Sequence, residues 1–370
     1  MMINTLKRSL ISTFKNLPGK GVGKKVVVIE CDDWGSRGVP SVEAYQKLKA
    51  AGLPMDSSRY SRFDTLASAD DLTALFEVLM RHKDAKGNPA VISPYFNTAN
   101  PNFEKIKENG FEKYIAEPVL TSIKKYAKGD VLKCWQHGSA AKVWAPEYHG
   151  REHIATAMWL RALQSGDKNM HTAFNYGFAS YSPPGTPKVA LNFRPNFYIN
   201  SDDEISSLQA DMEHGVDLFH EAFGFFPTVF NAPNGVFVDG FDQHLVQRNI
   251  LFNAVPRQRL DRNADGQYRP RTFKTGEKSA HGLTYYVRNC NFEPTERSYA
   301  GLNHVMSQIQ GAFICGKAAV IGTHRVNFVG GMDPKNSKQG LTELDQLLKK
   351  ILKKWPDTLF MSAKDFTKLL

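Results

Sequence analysis

The chain has 370 residues, enough for one large α/β barrel or two ordinary domains, and its hydrophobic content of 42% is normal for a globular protein. The 47 Lys and Arg against 37 Asp and Glu give a net charge of +10, which favours anionic partners. Nucleic acid is not expected as a partner, because dense basic blocks with interleaved aromatics are missing outside the N-terminal segment. No apolar run approaches the roughly 18 residues of a membrane-spanning helix.

The first 24 residues form a basic, weakly amphipathic segment, in which Leu6, Leu10 and Ile11 are set among basic residues. Its apolar run is too short and too interrupted for a secretory signal. We therefore predict a cytoplasmic protein with a single catalytic domain over residues 25–370, and leave open a loose binding of the segment to the inner face of the membrane. The four cysteines are scattered, which argues against a zinc ribbon or a disulfide framework.

From residue 25 onward, β-rich runs alternate with helical patterns. Repeated strand-then-helix units predict a parallel sheet that is closed, or nearly closed, into a barrel. The predicted strands are Lys25–Cys31, Ala90–Phe96, Val131–His137, Thr228–Asn231, Leu251–Ala254, Leu283–Arg288 and Ala318–Gly322. The predicted helices are Ser41–Ala51, Ala69–Lys83, Glu152–Gln164, Asp202–Phe223, Asp239–Asn249, Tyr299–Phe313 and Leu341–Lys354. Two stretches, Asn169–Asn200 and Pro256–Glu277, are predicted to be long loops over one face, where active-site walls are commonly built.

Two adjacent carboxylates, Asp32 and Asp33, follow the first predicted strand directly. In parallel α/β architectures the C-terminal ends of the strands line the reactive face. One carboxylate of such a pair can bind a cation, while the other takes a proton from water. The alternative is that Asp-Asp-x-Gly forms a turn that caps the next helix.

Two histidines, His149 and His153, lie four residues apart, a spacing that places both imidazoles on one face of a helical turn and within reach of one metal ion. The alternative is a pair of polar surface histidines. The stretch also fits H-x-x-E-H, the inverted zinc-peptidase signature, in which Glu152 would be the base. That signature needs a long helix, which Pro146 and Gly150 oppose.

Two later segments add polar groups. In Asn231–Gly235 a proline and a glycine would shape a tight loop that brings backbone N–H groups towards a substrate. His324 ends a buried strand, where a histidine is a natural proton donor to a leaving group. An ordinary Pro-Gly turn and a core or capping histidine are the alternatives.

In chain order, the Asp pair, the H-x-x-x-H spacing, the Pro-x-Gly loop and the late strand ending in His resemble the polysaccharide deacetylase family, the fourth class of carbohydrate esterases. The stretch Asp32-Asp33-Trp34-Gly35 also looks like the D-D-F-G of the related YdjC-type deacetylases. The resemblance implies a distorted (β/α) barrel with about seven parallel strands and long loop insertions on the active-site face.

The resemblance also implies roles for individual residues. Asp32 matches the general base, Asp33, His149 and His153 match the metal ligands, His324 matches the general acid, and the backbone N–H of Asn234 matches a group that helps hold the oxyanion. Asn231 stands where the family has an arginine that orients the base, so Arg257 or Arg325 would have to substitute. Asn97 and Asn231 are expected to line the substrate side of the site, and aromatics such as Trp34, Trp144, Tyr148 and Phe237 to stack on sugar rings unless they pack in the core.

The function implied by the resemblance is hydrolysis of an acetyl group, N-acetyl in preference to O-acetyl, on a sugar. The expected cofactor is a divalent metal, Zn²⁺ in the first place, with Co²⁺, Ni²⁺ and Mn²⁺ as alternatives. The substrate would be an acetylated sugar, a nucleotide sugar or a lipid-linked glycan of cell-surface glycan assembly. Two other functions stay open. One is an inactive glycan-binding barrel, which the replacement of the family's arginine by Asn231 would indicate, and the other is the zinc peptidase.

Overall fold

The computed structural model describes residues 13–370. Half of the basic segment predicted over residues 1–24, including Leu6, Leu10 and Ile11, therefore lies outside the described residues. Within residues 13–370, no helix is long and apolar enough to cross a membrane.

The chain alternates strands and helices over almost its whole described length. The strands are β1 Val26–Trp34, β2 Ile92–Phe96, β3 Ala99–Pro101, β4 Ala116–Pro118, β5 Glu147–Tyr148, β6 Val229–Phe230, β7 Val236–Val238, β8 Phe252–Pro256, β9 Gln258–Arg262, β10 Tyr268–Thr272, β11 Thr284–Arg288, β12 Cys290–Asn291, β13 Ala319–His324 and β14 Leu359–Phe360. The α-helices are Val42–Ala50, Arg59–Phe63, Ala69–Arg81, Phe103–Glu108, Val119–Tyr126, Val131–Ala140, Thr156–Gln164, Lys168–Asn175, Ile205–Phe223, Asp242–Gln247, Leu302–Ile314, Pro334–Lys354 and Ala363–Thr367.

The main sheet closes into a barrel. Its strands run in the order β11-β8-β6-β5-β2-β1-β13-β12, and each neighbouring pair is parallel. Only Asn289 separates β11 from β12, so both ends of this row belong to one run of chain and the sheet returns to its start. The eight segments therefore fill seven positions around the barrel, and the predicted (β/α) barrel with about seven parallel strands is confirmed.

The central strand β1 is buried along its whole length, as its continuous apolar sequence predicts. Because side chains alternate along a strand, Val26 and Val28 pack with barrel residues such as Tyr95, whereas Val27 and Ile29 join the core beneath the helices. The same alternation carries on towards the carboxyl end of β1. It places Glu30 and then Asp32 on the inner side, with Asp32 at the open end of the barrel.

One predicted strand is wrong. Val131–His137 lies in the helix Val131–Ala140, whose first turn is capped because the Asp130 side chain accepts a hydrogen bond from the backbone N–H of Lys133. Its buried residues Val131, Trp135 and Gly138 recur at helical spacing, which the apolar and β-branched content of the stretch concealed. The short strand β5 takes the barrel position instead.

The two predicted long loops contain regular structure. The stretch Pro256–Glu277 includes the antiparallel pair β9 and β10, and β9 also pairs with β7 outside the barrel. The stretch Asn169–Asn200 includes most of the helix Lys168–Asn175 and a 3₁₀ segment at Lys188–Phe193, and is otherwise irregular. Part of this second stretch reaches the site described next.

Candidate metal centre and catalytic site

Asp33 and the two histidines converge at the open end of the barrel. Asp33 follows Asp32 with a left-handed backbone (φ 73°), while His149 comes directly after β5 and hydrogen-bonds through its backbone N–H to the Phe96 carbonyl of β2. Asp33 Oδ1 lies 2.9 Å from His153 Nε2 and 3.5 Å from His149 Nε2. One ligand atom from each residue can be chosen so that all three lie within 4.8 Å of one another. The convergence predicted from the sequence is therefore present.

The local conformation differs from the prediction. His149 and His153 do not lie on a helical turn, because the segment between β5 and the helix beginning at Thr156 is irregular. Gly150 has a φ of 95°, and an added Cβ would overlap the side-chain amide of Asn196. A helix is excluded by this backbone, and the two rings meet because the loop folds back over the end of the barrel.

The residues present fit a divalent cation. The buried Oδ1 of Asp33 and the Nδ1 of His153 have no hydrogen-bond partner in the described part of the chain, residues 13–370. His149 Nδ1 lies 2.8 Å from the backbone carbonyl of Asn231, which suits a donor at Nδ1 and leaves Nε2 free to coordinate. An orphaned carboxylate oxygen facing two imidazole Nε2 atoms is the donor set of a zinc-type site.

The protonation states also suit a cation. Burial lowers the pKa of His153 to about 4 against the raising influence of Asp33, so its ring is neutral at pH 7. Burial by itself would raise the pKa of Asp33, but His153 and Arg194 together hold it well below its usual range. The site therefore offers an ionised carboxylate and a neutral imidazole without the prior loss of a proton.

Asp32 is oriented by an arginine that the sequence reasoning missed. Arg288, at the end of β11, donates from Nη1 and Nη2 to the two oxygens of Asp32 at 2.6 and 2.8 Å. Its Nε donates to the buried Glu30 at 2.6 Å, and Glu30 also accepts from the hydroxyls of Tyr95 and Tyr286. Burial raises the pKa of Asp32, but Arg288 outweighs it, and the net shift is downward. Asp32 is thus held ionised.

The two arginines named as substitutes lie elsewhere. Arg325 is fully buried and bonds to both oxygens of Asp64, and Arg257 donates to the backbone carbonyl of Lys15. The signal that could have identified Arg288 is its place at the end of the predicted strand Leu283–Arg288. On a barrel strand, that end faces the same opening as Asp32.

His324 is held by a second missed residue, Glu293. The His324 Nδ1 lies 2.6 Å from Glu293, while its Nε2 lies 3.9 Å from Asp32. Burial lowers the pKa of His324, but the Glu293 carboxylate dominates and raises it to about 9. Glu293 is in turn paired with Arg59. His324 is therefore protonated at neutral pH, and with 31% of its side chain exposed it can reach a bound molecule.

Two of the predicted substrate residues have structural roles. The Asn97 amide donates to the backbone carbonyl of His149 at 3.0 Å, and the Asn231 amide donates to the carbonyl of Ala254 at 2.6 Å, both in the interior. Asn97 thus positions the backbone of His149, Asn231 ties its own segment to β8, and neither side chain lines an open surface. Asn234 is exposed, with φ 54°, in the turn Pro233–Gly235.

The expected sugar-stacking role of Trp34 is wrong. Trp34 is 2% exposed and packs edge-on against Trp144 with ring centroids 4.7 Å apart. Trp144, Tyr148 and Phe237 are equally buried. All four rings belong to the core beneath the helices, so none presents a face to a sugar.

Glu152 does not take the place of a peptidase base. Its carboxylate accepts from Arg151 Nε at 2.6 Å, and Arg151 also pairs with Asp211 on the helix Ile205–Phe223. The long helix that the H-x-x-E-H signature requires is absent around residues 149–153 of the described chain. Glu152 instead orients Arg151, which ties the histidine-bearing loop to a neighbouring helix.

No protein-family model matches the chain, and no curated protein matches it. Among similar solved structures, one that bears the name of a polysaccharide deacetylase from Mycobacterium smegmatis is 9% identical, with a TM-score of 0.45, over 94% of this chain and 90% of that one. A second, named as a polysaccharide deacetylase from Pseudomonas aeruginosa PAO1, is 6% identical, with a TM-score of 0.45, over 95% and 93%. A 4-alpha-glucanotransferase from Thermococcus litoralis is 9% identical, with a TM-score of 0.45, over 93% of this chain and 40% of that one. At these sequence identities and TM-scores we draw no conclusion from the similarities, and the description of the fold and the site depends on the topology and distances given above.

Proposed function

We propose that the chain is a metal-dependent carbohydrate deacetylase of the polysaccharide deacetylase type, which hydrolyses an N-acetyl group on a sugar. The observation that carries this proposal is the buried Asp33 carboxylate, whose unpartnered oxygen faces two imidazoles, with the ionised Asp32 and the protonated His324 alongside. A divalent cation, Zn²⁺ by preference, would be held by Asp33, His149 and His153. When bound, it would polarise the acyl carbonyl and make water more acidic.

The residues of the chain divide the proton transfers. Asp32 accepts a proton from the attacking water, and Arg288 keeps that carboxylate ionised and aimed at the open end of the barrel. His324, protonated against Glu293, gives its proton to the departing amine as the C–N bond breaks. The products are acetate and the free amino sugar. The backbone N–H of Asn234 is proposed to help hold the oxyanion.

The two other functions considered lose their support. The inactive-barrel alternative rested on Asn231 in place of an orienting arginine, but Arg288 supplies that contact. The zinc-peptidase alternative needs a helix and a free Glu152, and the chain has neither at that position. A nucleotide-linked or lipid-linked acetylated sugar in the cytoplasm, at the inner face of the membrane, remains our proposal for substrate and location.

The direct test is acetate release from a panel of N-acetylated and O-acetylated sugars, nucleotide sugars and glycan oligomers, with Zn²⁺ or Co²⁺ added. We expect release from an N-acetylated member of the panel, and its loss in D32N without loss of the bound metal. Activity that survives in D32N would remove Asp32 as the base. A panel without any acetate release from the metal-loaded protein would contradict the proposed function.

A further inference from the structure

The two oxygens of Asp33 have different surroundings. Oδ1 faces the two imidazoles, whereas Oδ2 accepts a hydrogen bond from Arg194 Nη2 at 2.9 Å. Arg194 comes from the irregular stretch between two helices, and its side chain is 14% exposed. The carboxylate assigned to the metal is therefore bonded, on its far side, to a permanent cation.

Arg194 is held firmly in this place. Its guanidinium lies over the ring of Tyr60, 4.3 Å from the centroid. The two preceding residues, Asn192 and Phe193, both have left-handed backbones, with φ 57° and 54°. Phe193 is buried, and its carbonyl accepts a hydrogen bond from the backbone N–H of Ala155 at 2.7 Å. Two consecutive unfavourable conformations persist only where the surroundings fix them, and such positions cluster at functional sites.

Other nearby charges do not cancel the effect of Arg194 on Asp33. Asp64 is the next carboxylate that interacts with Arg194, and it is bonded through both oxygens to Arg325. Asp32 is bonded through both oxygens to Arg288. Asp33 is thus the sole carboxylate that forms an ion pair with Arg194 within residues 13–370.

We propose that Arg194 is a positioning residue that tunes the metal centre: it restricts Asp33 to one coordinating oxygen and weakens the hold on the cation, which stays more electrophilic. The inference rests on the proposed function. An arginine is always protonated, and inside a protein its repulsion of a nearby divalent ion is less screened than in water. Occupation of Oδ2 also prevents the carboxylate from closing on the ion with both oxygens, which keeps room for water and substrate.

The test separates charge from hydrogen bonding by comparing two variants. R194Q keeps an amide donor for Asp33 Oδ2 but removes the charge, whereas R194M removes both. We expect R194Q to bind Zn²⁺ about tenfold more tightly than the wild type, measured by competition with a chelator, because the repulsion is gone. We also expect its kcat to fall while KM changes little. The matched control is R161Q, since Arg161 pairs with Glu204 at 2.8 Å with half of its side chain exposed, away from Asp33.

Four outcomes would overturn the inference. An unchanged Kd for Zn²⁺ in R194Q, with weaker binding in R194M, would make Arg194 only a hydrogen bond that orients Asp33. An equal gain of affinity in R161Q would show a general effect of surface charge. A wild-type protein that takes up no Zn²⁺ would reject the proposed function as well, whereas Zn²⁺ uptake with equal Kd in all variants would reject this inference alone.

Discussion

Replacement of Arg288 by methionine tests the interior ion network on which the site is built. Arg288 makes three charge-assisted hydrogen bonds of 2.6–2.8 Å to two buried carboxylates, Asp32 and Glu30. Glu30 keeps two tyrosine hydroxyls in the variant, but the only other ion-pair partner of Asp32 within residues 13–370 is His324, at 3.9 Å. Breaking a buried pair so that one charge is left without its partner costs about 3–5 kcal/mol, and we expect R288M to lose about that much stability.

The measurement is urea unfolding followed by tryptophan fluorescence, combined with a double-mutant cycle. D32N removes the charge that R288M leaves unpaired, so the double variant D32N/R288M should be clearly more stable than the sum of the two single losses predicts. R288K, which keeps the charge but cannot form the two-pronged contact, should lie between wild type and R288M. A loss below about 1 kcal/mol in R288M, or simple additivity in the cycle, would refute the reasoning.

Three further predictions concern other parts of the site. Burial lowers the pKa of His324, but Glu293 outweighs burial and raises this pKa to about 9, above the ordinary value of about 6.5. The protonated ring therefore stabilises the folded protein fully below pH ~6.5, and this stabilisation is lost as the pH rises through about 9. The rate of acetate release should fall as the pH rises through ~9, and in E293Q this fall should come about two pH units lower. An unshifted pH profile in E293Q would show that Glu293 does not set the pKa of the catalytic acid. E152Q should keep its bound metal and its turnover, as measured by metal analysis and acetate release. Loss of activity in E152Q would instead support the zinc-peptidase function. W34A should lose about 3–5 kcal/mol of its free energy of unfolding, measured in urea, because the ring belongs to the core. W34F should keep the KM of the wild type, and a raised KM in a stable W34F would show that Trp34 does contact the sugar.

The sequence was sufficient where local pattern and chain direction decide the structure. The apolar run of β1 predicted a strand buried on both faces, and the rule that parallel strands expose their carboxyl ends together placed Asp33 and His324 at one opening. The convergence of Asp33 with the two histidines survived a wrong local conformation, because it depends on strand ends rather than on a helical turn.

The remaining features depend on contacts that no local pattern encodes. Arg288 and Asp32 are 256 residues apart, and Arg194 and Asp33 are 161 apart, so neither pairing follows from spacing. The prediction for Val131–His137 failed because Val131, Cys134 and Trp135 suit a strand as well as a helix, and the capping Asp130 tipped the balance. Trp34 was expected to contact a sugar, but the left-handed backbone of Asp33 and the register shift between Cys31 and Trp34 interrupt the strand alternation, and the ring is buried in the core beneath the helices.

Metal uptake by the purified chain tests the central claim most directly. After removal of all metal and dialysis against limiting Zn²⁺, we expect one ion per chain in the wild type, and almost none in D33A or H153A. R161Q, which leaves the three ligand side chains and their supporting contacts in place, should keep close to one ion per chain. Equal Zn²⁺ content in wild type, D33A and H153A would mean that Asp33, His149 and His153 do not form the metal centre.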